Sequence, residues 1–446
     1  MFVLVVGYQK SGRSASKLLK SLGYKVIVVS DDRALSQEQI DRLLVNLSFI
    51  VVSPGVLPNS PLLVAAHKNN IKAIGELELG FQNTKGRVVA ITGTNGKTTT
   101  TKLTAHLLGE DNVFVAGNLG VPLCDVCKKT NDQSTVVCEV SSFQLMHTNL
   151  FKPKIAAFLN LTPDHQNYHF TMQNYLNAKL NVFKEQTQQD YAVLNYDDKV
   201  AKNSRVSKAR IYFFSTKKRV NGCFASGGNI YFRDTTKHLK GFEKSVLIAK
   251  VTDIKLLGEH NLSNAVCAIC CAILSGETPE NIRTRLQTFK PVKHRLEFVT
   301  DINGVSFIND SKATNTDSTI CAINSMTQPT TLILGGSDKG CDFDCLFCKT
   351  SLISNYVFMG ETKHKLARAA QKHGKTNYVF ADSLSEAVLL AYQMSERGNT
   401  VLFSPACASF DMFANFEERG KCFCGVVRGL KRSENNNNKN HKKEIF

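Results

Sequence analysis

The chain has 446 residues, 43% hydrophobic and 21% charged, with a formal net charge of +17. Length and composition describe a soluble globular protein of about three domains and exclude a disordered or fibrous chain. No apolar run reaches the length of a membrane span and no basic segment precedes the short apolar start, so a cytoplasmic protein without an export signal is expected.

The first 84 residues alternate strand and helix. Val3–Val6 reads as a strand, Ser14–Leu22 as a helix, Val26–Val29 as a second strand ending at Asp32-Arg33, and Phe49–Val52 as a third closed by Ser53-Pro54-Gly55. This is a parallel, Rossmann-like pattern. Gln9 stands where the dinucleotide fingerprint needs its middle glycine, so a nicotinamide cofactor is not expected. Another phosphate-bearing ligand at Gly7–Gly12 fits.

Residues 85–292 carry the stretch around which the chain is organised. Val88–Ile91 is a short buried strand, Gly93-Thr94-Asn95-Gly96 a tight turn, and Lys97-Thr98-Thr99 the start of a helix. The free N–H groups and positive end of such a helix face an anion, and Lys97 adds a full charge. Thr98 is placed to offer a hydroxyl to Mg²⁺. Ile91 replaces the first glycine of the usual P-loop spacing, and a plain glycine turn before a helix is the competing reading. The strand–loop–helix context favours a nucleoside triphosphate.

Thr135–Glu139 is an apolar strand ending in a carboxylate, the arrangement that reaches a metal beside a P-loop. Leu159–His165 ends another strand with polar groups, and Tyr175–Lys179 falls on a helix. Taken alone, His165 reads as a structural histidine and Lys179 as a solvated face. Lys208–Ile254 reads as short strands and turns.

From 293 to 432 the alternation resumes, with strands at Thr331–Leu334, Asn355–Met359, Asn377–Phe380 and Val401–Phe403. The loops Gly335–Lys339 and Ser404–Ser409 leave strand ends, where ligands of such sheets bind. Residues 433–446 form a polar, Asn-rich stretch expected to be disordered. Cys267, Cys270 and Cys271 fall at helical spacing and read as core. Neither Cys124 with Cys127 nor Cys341, Cys345 and Cys348 has a partner pair at zinc-finger spacing, so no structural zinc is expected. Basic residues are scattered, which argues against nucleic acid as the partner.

Taken together, Gly93–Thr98, Glu139–Gln144, Asp164-His165, Gly258–Asn264, His294-Arg295, Asn309–Thr314 and Ser404–Gly420 resemble the Mur ligases of peptidoglycan synthesis. The resemblance covers nearly the whole chain except the tail, and the motifs keep the family's order. It implies an α/β protein of three domains. These are a Rossmann-like UDP-substrate-binding domain (1–84), a central P-loop ATPase (85–292) and a Rossmann-like C-terminal domain that brings the amino acid (293–432). The segment 404–420 is most similar to the branch that joins D-glutamate to UDP-N-acetylmuramoyl-L-alanine. The implied chemistry is ATP-dependent: a carboxylate becomes an acyl phosphate and the D-glutamate amine attacks it.

By that resemblance Gly93, Thr94, Asn95, Gly96, Lys97, Thr98 and Thr99 hold ATP, with Asn264 and Asp310 at the adenine and ribose and Arg295 at a phosphate. Thr98, Glu139, His165 and Lys179, the last as a CO₂-derived carbamate, serve two Mg²⁺ sites. Lys97, Glu139, His165 and Lys179 are the implied catalytic set. Ser11, Asp32, Arg33, Gly55 and Asn118 match the UDP-substrate contacts. Lys312, Thr314, Lys339, Ser409 and Phe416 match the D-glutamate pocket, where two amines and two hydroxyls suit a dicarboxylate. Gln9 and Asn167 depart from the family pattern. A monomer is expected. Competing readings are a sibling Mur ligase, a folylpolyglutamate synthase-like ligase, an inactive relative that only binds, and a basic nucleic-acid binder. The first two are set against residues 404–420 and the third against the intact Lys97, Glu139, His165 and Lys179.

Overall fold

The structure is a computed structural model that describes residues 2–30, 35–118, 120–206, 208–256, 258–290, 292–338, 340–348 and 352–443, without the side chains of Asn167 and of residues 435–443. Asp32, Arg33 and Lys339 lie outside the described residues.

Three sheets organise the described residues. The first holds β1 (Phe2–Val6), β2 (Lys25–Val29), β3 (Leu47–Val52) and β4 (Ala73–Gly75) in the order β2-β1-β3-β4, every pair parallel. Val3 to Val6 and Ile50 to Val52 are buried, as strands covered on both faces require.

The second sheet contains β5 (Arg87–Thr92), β6 (Val113–Gly117), β7 (Thr135–Glu139), β8 (Ile155–Phe158), β9 (Tyr191–Asn195), β10 (Arg210–Ser215), β11 (Gly222–Ser226), β12 (Asn229–Arg233) and β13 (Val246–Lys250). Their order is β13-β12-β11-β10-β9-β8-β5-β7-β6. It is parallel from β6 to β11 and antiparallel at β12 and β13. β5 therefore sits inside the sheet between β7 and β8. The chain's glycine loop leaves its end with the ends of both neighbours alongside.

The third sheet comprises β14 (Glu297–Ile302), β15 (Val305–Asn309), β16 (Thr330–Gly335), β17 (Ile353–Met359), β18 (Tyr378–Phe380) and β19 (Thr400–Phe403), ordered β14-β15-β19-β16-β17-β18. Only β14 runs antiparallel, as an edge hairpin with β15 turning at Asn303-Gly304, both at positive φ. Sequence reading found β16 to β19 and missed this hairpin, because Glu297–Ile302 alternates too weakly to show a buried face.

By contact the chain forms two units, Met1–Lys255 with Asn261–Phe289, and Leu256–His260 with Lys290–Phe446. The first two sheets thus share a unit across the boundary expected near residue 84. The reason lies in the helix Glu76–Gln82. Glu76 accepts from Cys124 N at 2.7 Å, and Glu78 accepts from the amides of Asn149 and Leu150 at 2.9 and 2.8 Å. Gly75 N donates to His147 O at 2.7 Å. Buried carboxyl oxygens that accept from another segment's amides tie the two segments together.

Cys267, Cys270 and Cys271 are fully buried on the helix Glu259–Leu274, as their spacing implied. The last helix spans Phe416–Lys443 and so enters the stretch expected to be disordered. Lys431 donates to Thr300 at 2.6 Å and Asn303 donates to Glu434 at 2.9 Å, anchoring the helix to the β14–β15 hairpin.

Candidate active site

The loop after β5 is built from two glycines in conformations other residues resist. Gly93 has φ +153°, and a Cβ there would stand 2.9 Å from Leu159 Cβ. Gly96, at φ +85°, caps the helix Lys97–Leu108, and its Cβ would fall 2.2 Å from Asn264 Oδ1. Only glycine lets the helix Glu259–Leu274 approach this closely. Asn264 also accepts from Thr100 Oγ1 at 3.4 Å.

Neighbouring strand ends hold the loop open. Asn160 Oδ1 accepts from Asn95 N at 2.9 Å and its amide donates to Asn95 O at 3.2 Å. Thr94 N donates to Asn160 O, and Thr94 Oγ1 lies 3.3 Å from Tyr175 OH. Asn160 and Tyr175 were not singled out in the sequence as loop supports. The two-way amide clamp depends on the β5–β8 pairing, which no local spacing encodes.

Lys97 Nζ donates to Gly93 O at 2.9 Å and to Thr94 O at 2.7 Å, so the cation sits over the loop it serves. Thr98 Oγ1 donates to Glu139 Oε2 at 2.7 Å, and Asn118 Nδ2 donates to Glu139 Oε1 at 2.7 Å. Glu139 is buried at the end of β7. A carboxylate beside a hydroxyl is the oxygen donor set that a hard divalent cation takes, so Thr98 and Glu139 fit Mg²⁺.

Lys179 is 1% exposed, on the helix Met172–Leu180. Its Nζ donates to Gly93 O at 2.8 Å and lies 4.5 Å from the Tyr175 ring centre. Burial holds its pKa well below the ordinary lysine value, and the Lys97 charge adds to this, while Asp164 and Glu139 pull the other way. The expectation of a solvated face is thus corrected, because the helix packs this side onto the loop. As an ammonium Lys179 is no metal ligand; as a carbamate it offers oxygens to a cation.

His165 caps the short helix Gln166–His169 at φ 54°, with Nε2 3.6 Å from Asp164 Oδ2 and its ring against Phe143. His169, which sequence reading passed over, lies stacked on Phe143 and 2.9 Å from Ser142 Oγ. Burial, then the charges of His165 and Lys179, lower its pKa to about 4, so it stays neutral.

In the first sheet, Gly7 carries φ +81° and accepts from Ser53 Oγ at 2.7 Å. Gly12 passes so near Gly7 O that a Cβ would be 1.9 Å away. Ser11 stands in the first turn of the helix Lys10–Ser21, and Gly55 on an exposed turn. A cavity of about 460 Å³ beside that helix is lined by Gln9, Lys10, Arg13, Ser14, Lys17 and Asp125. Its three cations were not singled out in the sequence; their helical spacing was the available signal.

In the second unit, Asp310 is buried, accepting from Ser404 Oγ at 2.8 Å and from Leu296 N at 3.2 Å. Burial raises its pKa to about 6, opposed by Ser404 and by the Arg295 charge. Lys312 Nζ lies 4.6 Å from the Phe416 ring centre, and Ser311 Oγ donates to Phe416 O at 2.9 Å. Ser409 is buried and Thr314 half-buried. Arg419, fully buried and not singled out beforehand, donates to Ser311 O, Cys407 O and Ala408 O at 2.8, 3.0 and 3.1 Å. It thereby holds the loops of Lys312 and Ser409 together.

A glycine loop on a helix N-terminus, with Lys97 above it and Thr98 and Glu139 at its side, defines an enzyme of the P-loop, nucleotide-using class. The chain belongs to the Mur ligase family. Residues 91–272 match the Mur ligase middle domain and residues 294–407 the Mur ligase glutamate ligase domain. It is 42% identical, over 96% of its length and 97% of theirs, to UDP-N-acetylmuramoylalanine--D-glutamate ligases of Bacillus thuringiensis and Bacillus anthracis. In fold it is similar to a pseudomurein peptide ligase type C of Methanothermus fervidus (TM-score 0.61, 17% identity, 96% of this chain and 100% of that one). It is likewise similar to the MurF ligase of Thermotoga maritima in complex with ADP (TM-score 0.60, 16% identity, 96% and 95% of the chains).

Proposed function

We propose that this chain is an ATP-dependent ligase that adds D-glutamate to UDP-N-acetylmuramoyl-L-alanine through an acyl phosphate, in the cytoplasmic synthesis of peptidoglycan precursor. The observation that carries the reading is the convergence of Lys97, Lys179 and Glu139 on one glycine loop. Lys97 and Lys179 both donate to Gly93 O, and Glu139 reaches Thr98. The 42% identity to curated ligases of that name supports the choice of substrates.

In this reading the loop amides and Lys97 cradle the β- and γ-phosphates. Thr98 and Glu139 would hold one Mg²⁺, and His165 with carbamylated Lys179 would hold a second. Bound Mg²⁺ neutralises phosphate charge so that the substrate carboxylate can approach. Lys179 is enclosed beside Lys97, where a second ammonium is repelled and the free amine favoured. The amine adds to CO₂, forming an N–C bond and releasing a proton, and cation becomes anion. Asn118, fixed by Glu139, faces the muramoyl end. The basic cavity at Lys10, Arg13 and Lys17 suits the uridine diphosphate, with Ser11, Asp32, Arg33 and Gly55. Asn264, Arg295 and Asp310 serve the nucleotide. Lys312, Thr314, Lys339, Ser409 and Phe416 receive D-glutamate. We read residues 1–84, 85–292 and 293–432 as the three working domains.

The test is ATP-dependent phosphate release with UDP-N-acetylmuramoyl-L-alanine and a panel of D- and L-amino acids. D-glutamate is expected to be preferred by about 10⁴-fold or more over amino acids lacking the side-chain carboxylate. Preference for L-alanine, L-lysine or diaminopimelate would assign a sibling ligase, and turnover on a folate acceptor alone would overturn the cell-wall role.

A further inference from the structure

At the β14 edge of the third sheet, beside Arg295 and Asp310 in the chain, three donors of different chemistry converge. They are His294, Glu297 at the start of β14, and Cys424 on the helix Phe416–Lys443. Their ligand atoms all lie within 4.8 Å of one another. His294 and Cys424 are buried and Glu297 half-buried. His294 Nδ1 stands 3.6 Å from Glu297 Oε2. Ligands about 2.0–2.2 Å from a tetrahedral Zn²⁺ are separated by roughly 3.3–3.6 Å, so this edge already has the required length.

The centre of the cluster supplies a second, independent observation. Asn309 Nδ2 lies 2.9 Å from His294 Nδ1, 3.3 Å from Glu297 Oε2, 3.2 Å from Cys424 Sγ and 3.1 Å from Gly420 O. Ser311 N donates to Asn309 Oδ1 at 3.1 Å, which fixes the amide with its nitrogen inward. A carboxamide has two hydrogens, and here four neighbours compete for them: the Glu297 and Gly420 oxygens, the Cys424 sulfur and, in the tautomer with its proton on Nε2, His294 Nδ1. Such a ring of electron pairs around one electropositive atom is the environment of a cation. Gly420 keeps it open, since a Cβ there would stand 2.3 Å from His294 Nδ1.

We propose that His294, Glu297 and Cys424 form a binding site for a thiophilic divalent cation of the Zn²⁺ class, which the Asn309 amide fills when no ion is bound. Ion entry breaks the Cys424 S–H bond and forms a metal–sulfur bond, releasing one proton. A half-turn of the Asn309 amide, which gives up the bond from Ser311 N to Oδ1, replaces its NH₂ by Oδ1, which becomes the fourth ligand. The imidazole and thiolate select against Mg²⁺, a hard ion that takes oxygen ligands, so the site does not compete for the ion beside ATP.

The test is a titration of the metal-free full-length chain with Co²⁺, read by the visible bands of a tetrahedral ion and its sulfur-to-cobalt charge-transfer band. One equivalent is expected in the unaltered protein and in Cys422→Ala, two positions away. Zn²⁺ should displace it, and excess Mg²⁺ should not. Cys424→Ala should abolish the charge-transfer band, and His294→Gln should weaken binding by more than about tenfold. If Cys424→Ala does not fold, Cys424→Ser replaces it. Absence of the bands from the unaltered protein, or their persistence when Cys424 is replaced, would overturn the site.

Discussion

The Thr98 hydroxyl donates to Glu139 Oε2 across 2.7 Å, joining residues 41 apart in sequence. Strand pairing makes this possible, because β5 and β7 run parallel with Ile91 opposite Glu139. Thr98→Val keeps the shape and removes the hydroxyl. In the nucleotide-free protein a buried carboxylate oxygen loses its donor, at a cost of about 1–3 kcal/mol. Turnover is expected to fall on the order of 10²-fold. Melting and phosphate release measured on the same preparation check both effects, and unchanged turnover would separate Thr98 from the ion.

The Gly96 contact with Asn264 makes a steric prediction. Gly96→Ala places a methyl 2.2 Å from Asn264 Oδ1 at φ +85°. The left-handed conformation alone costs about 1–2 kcal/mol. The variant should remain folded by circular dichroism and lose ATP binding in calorimetry. Ordinary ATP affinity would show that the loop tolerates displacement and that the close approach is incidental.

Carbamylation of Lys179 predicts a reversible dependence on CO₂. Protein stripped of bicarbonate should lose activity and regain it when bicarbonate is restored, with a ¹³C-carbamate resonance appearing from labelled bicarbonate. Lys179→Ala should show neither the resonance nor the recovery. Full activity without bicarbonate would contradict the modification.

Glu76 gives a stability prediction outside the site. It is 1% exposed; Oε1 accepts from Cys124 N, and Oε2 has no partner among the described residues. Burial pushes its pKa from 4.5 up to about 7. The folded state therefore holds this proton more tightly than the unfolded chain. Its contribution is full below pH 4.5 and lost as pH rises to about 7, a swing of about 3 kcal/mol. Glu76→Gln, which cannot ionise, should become more stable relative to the unaltered protein over that window. Urea unfolding at a series of pH values measures the difference; a flat difference would contradict the assignment.

What could be read from the sequence was local. The loop Gly93–Thr98 is one contiguous strand–turn–helix, and β7 announces Glu139 by a run of apolar residues ending in a carboxylate. Lys179 was legible only by resemblance, since its burial comes from the packing of Met172–Leu180 onto a loop 86 residues earlier. The same limit hid Asn160, Tyr175, His169 and Arg419, whose roles exist only across paired strands or between loops. It also hid the union of the first two sheets, which rests on Glu76 and Glu78, two acidic residues that composition places at the surface. Cysteine spacing missed Cys424 for the same reason, since its partners lie in the β14–β15 region, more than a hundred residues away.

This chain is expected to use ATP to activate a carboxylate and pass it to D-glutamate. The most direct measurement supplies UDP-N-acetylmuramoyl-L-alanine with both alanine carboxylate oxygens as ¹⁸O, together with ATP and D-glutamate, and weighs the products. An acyl phosphate carries one carboxylate oxygen into the released phosphate, so ¹⁸O-labelled phosphate is expected in equal amount to the D-glutamyl amide. Unlabelled phosphate, or no amide with D-glutamate while another amino acid is accepted, would contradict it.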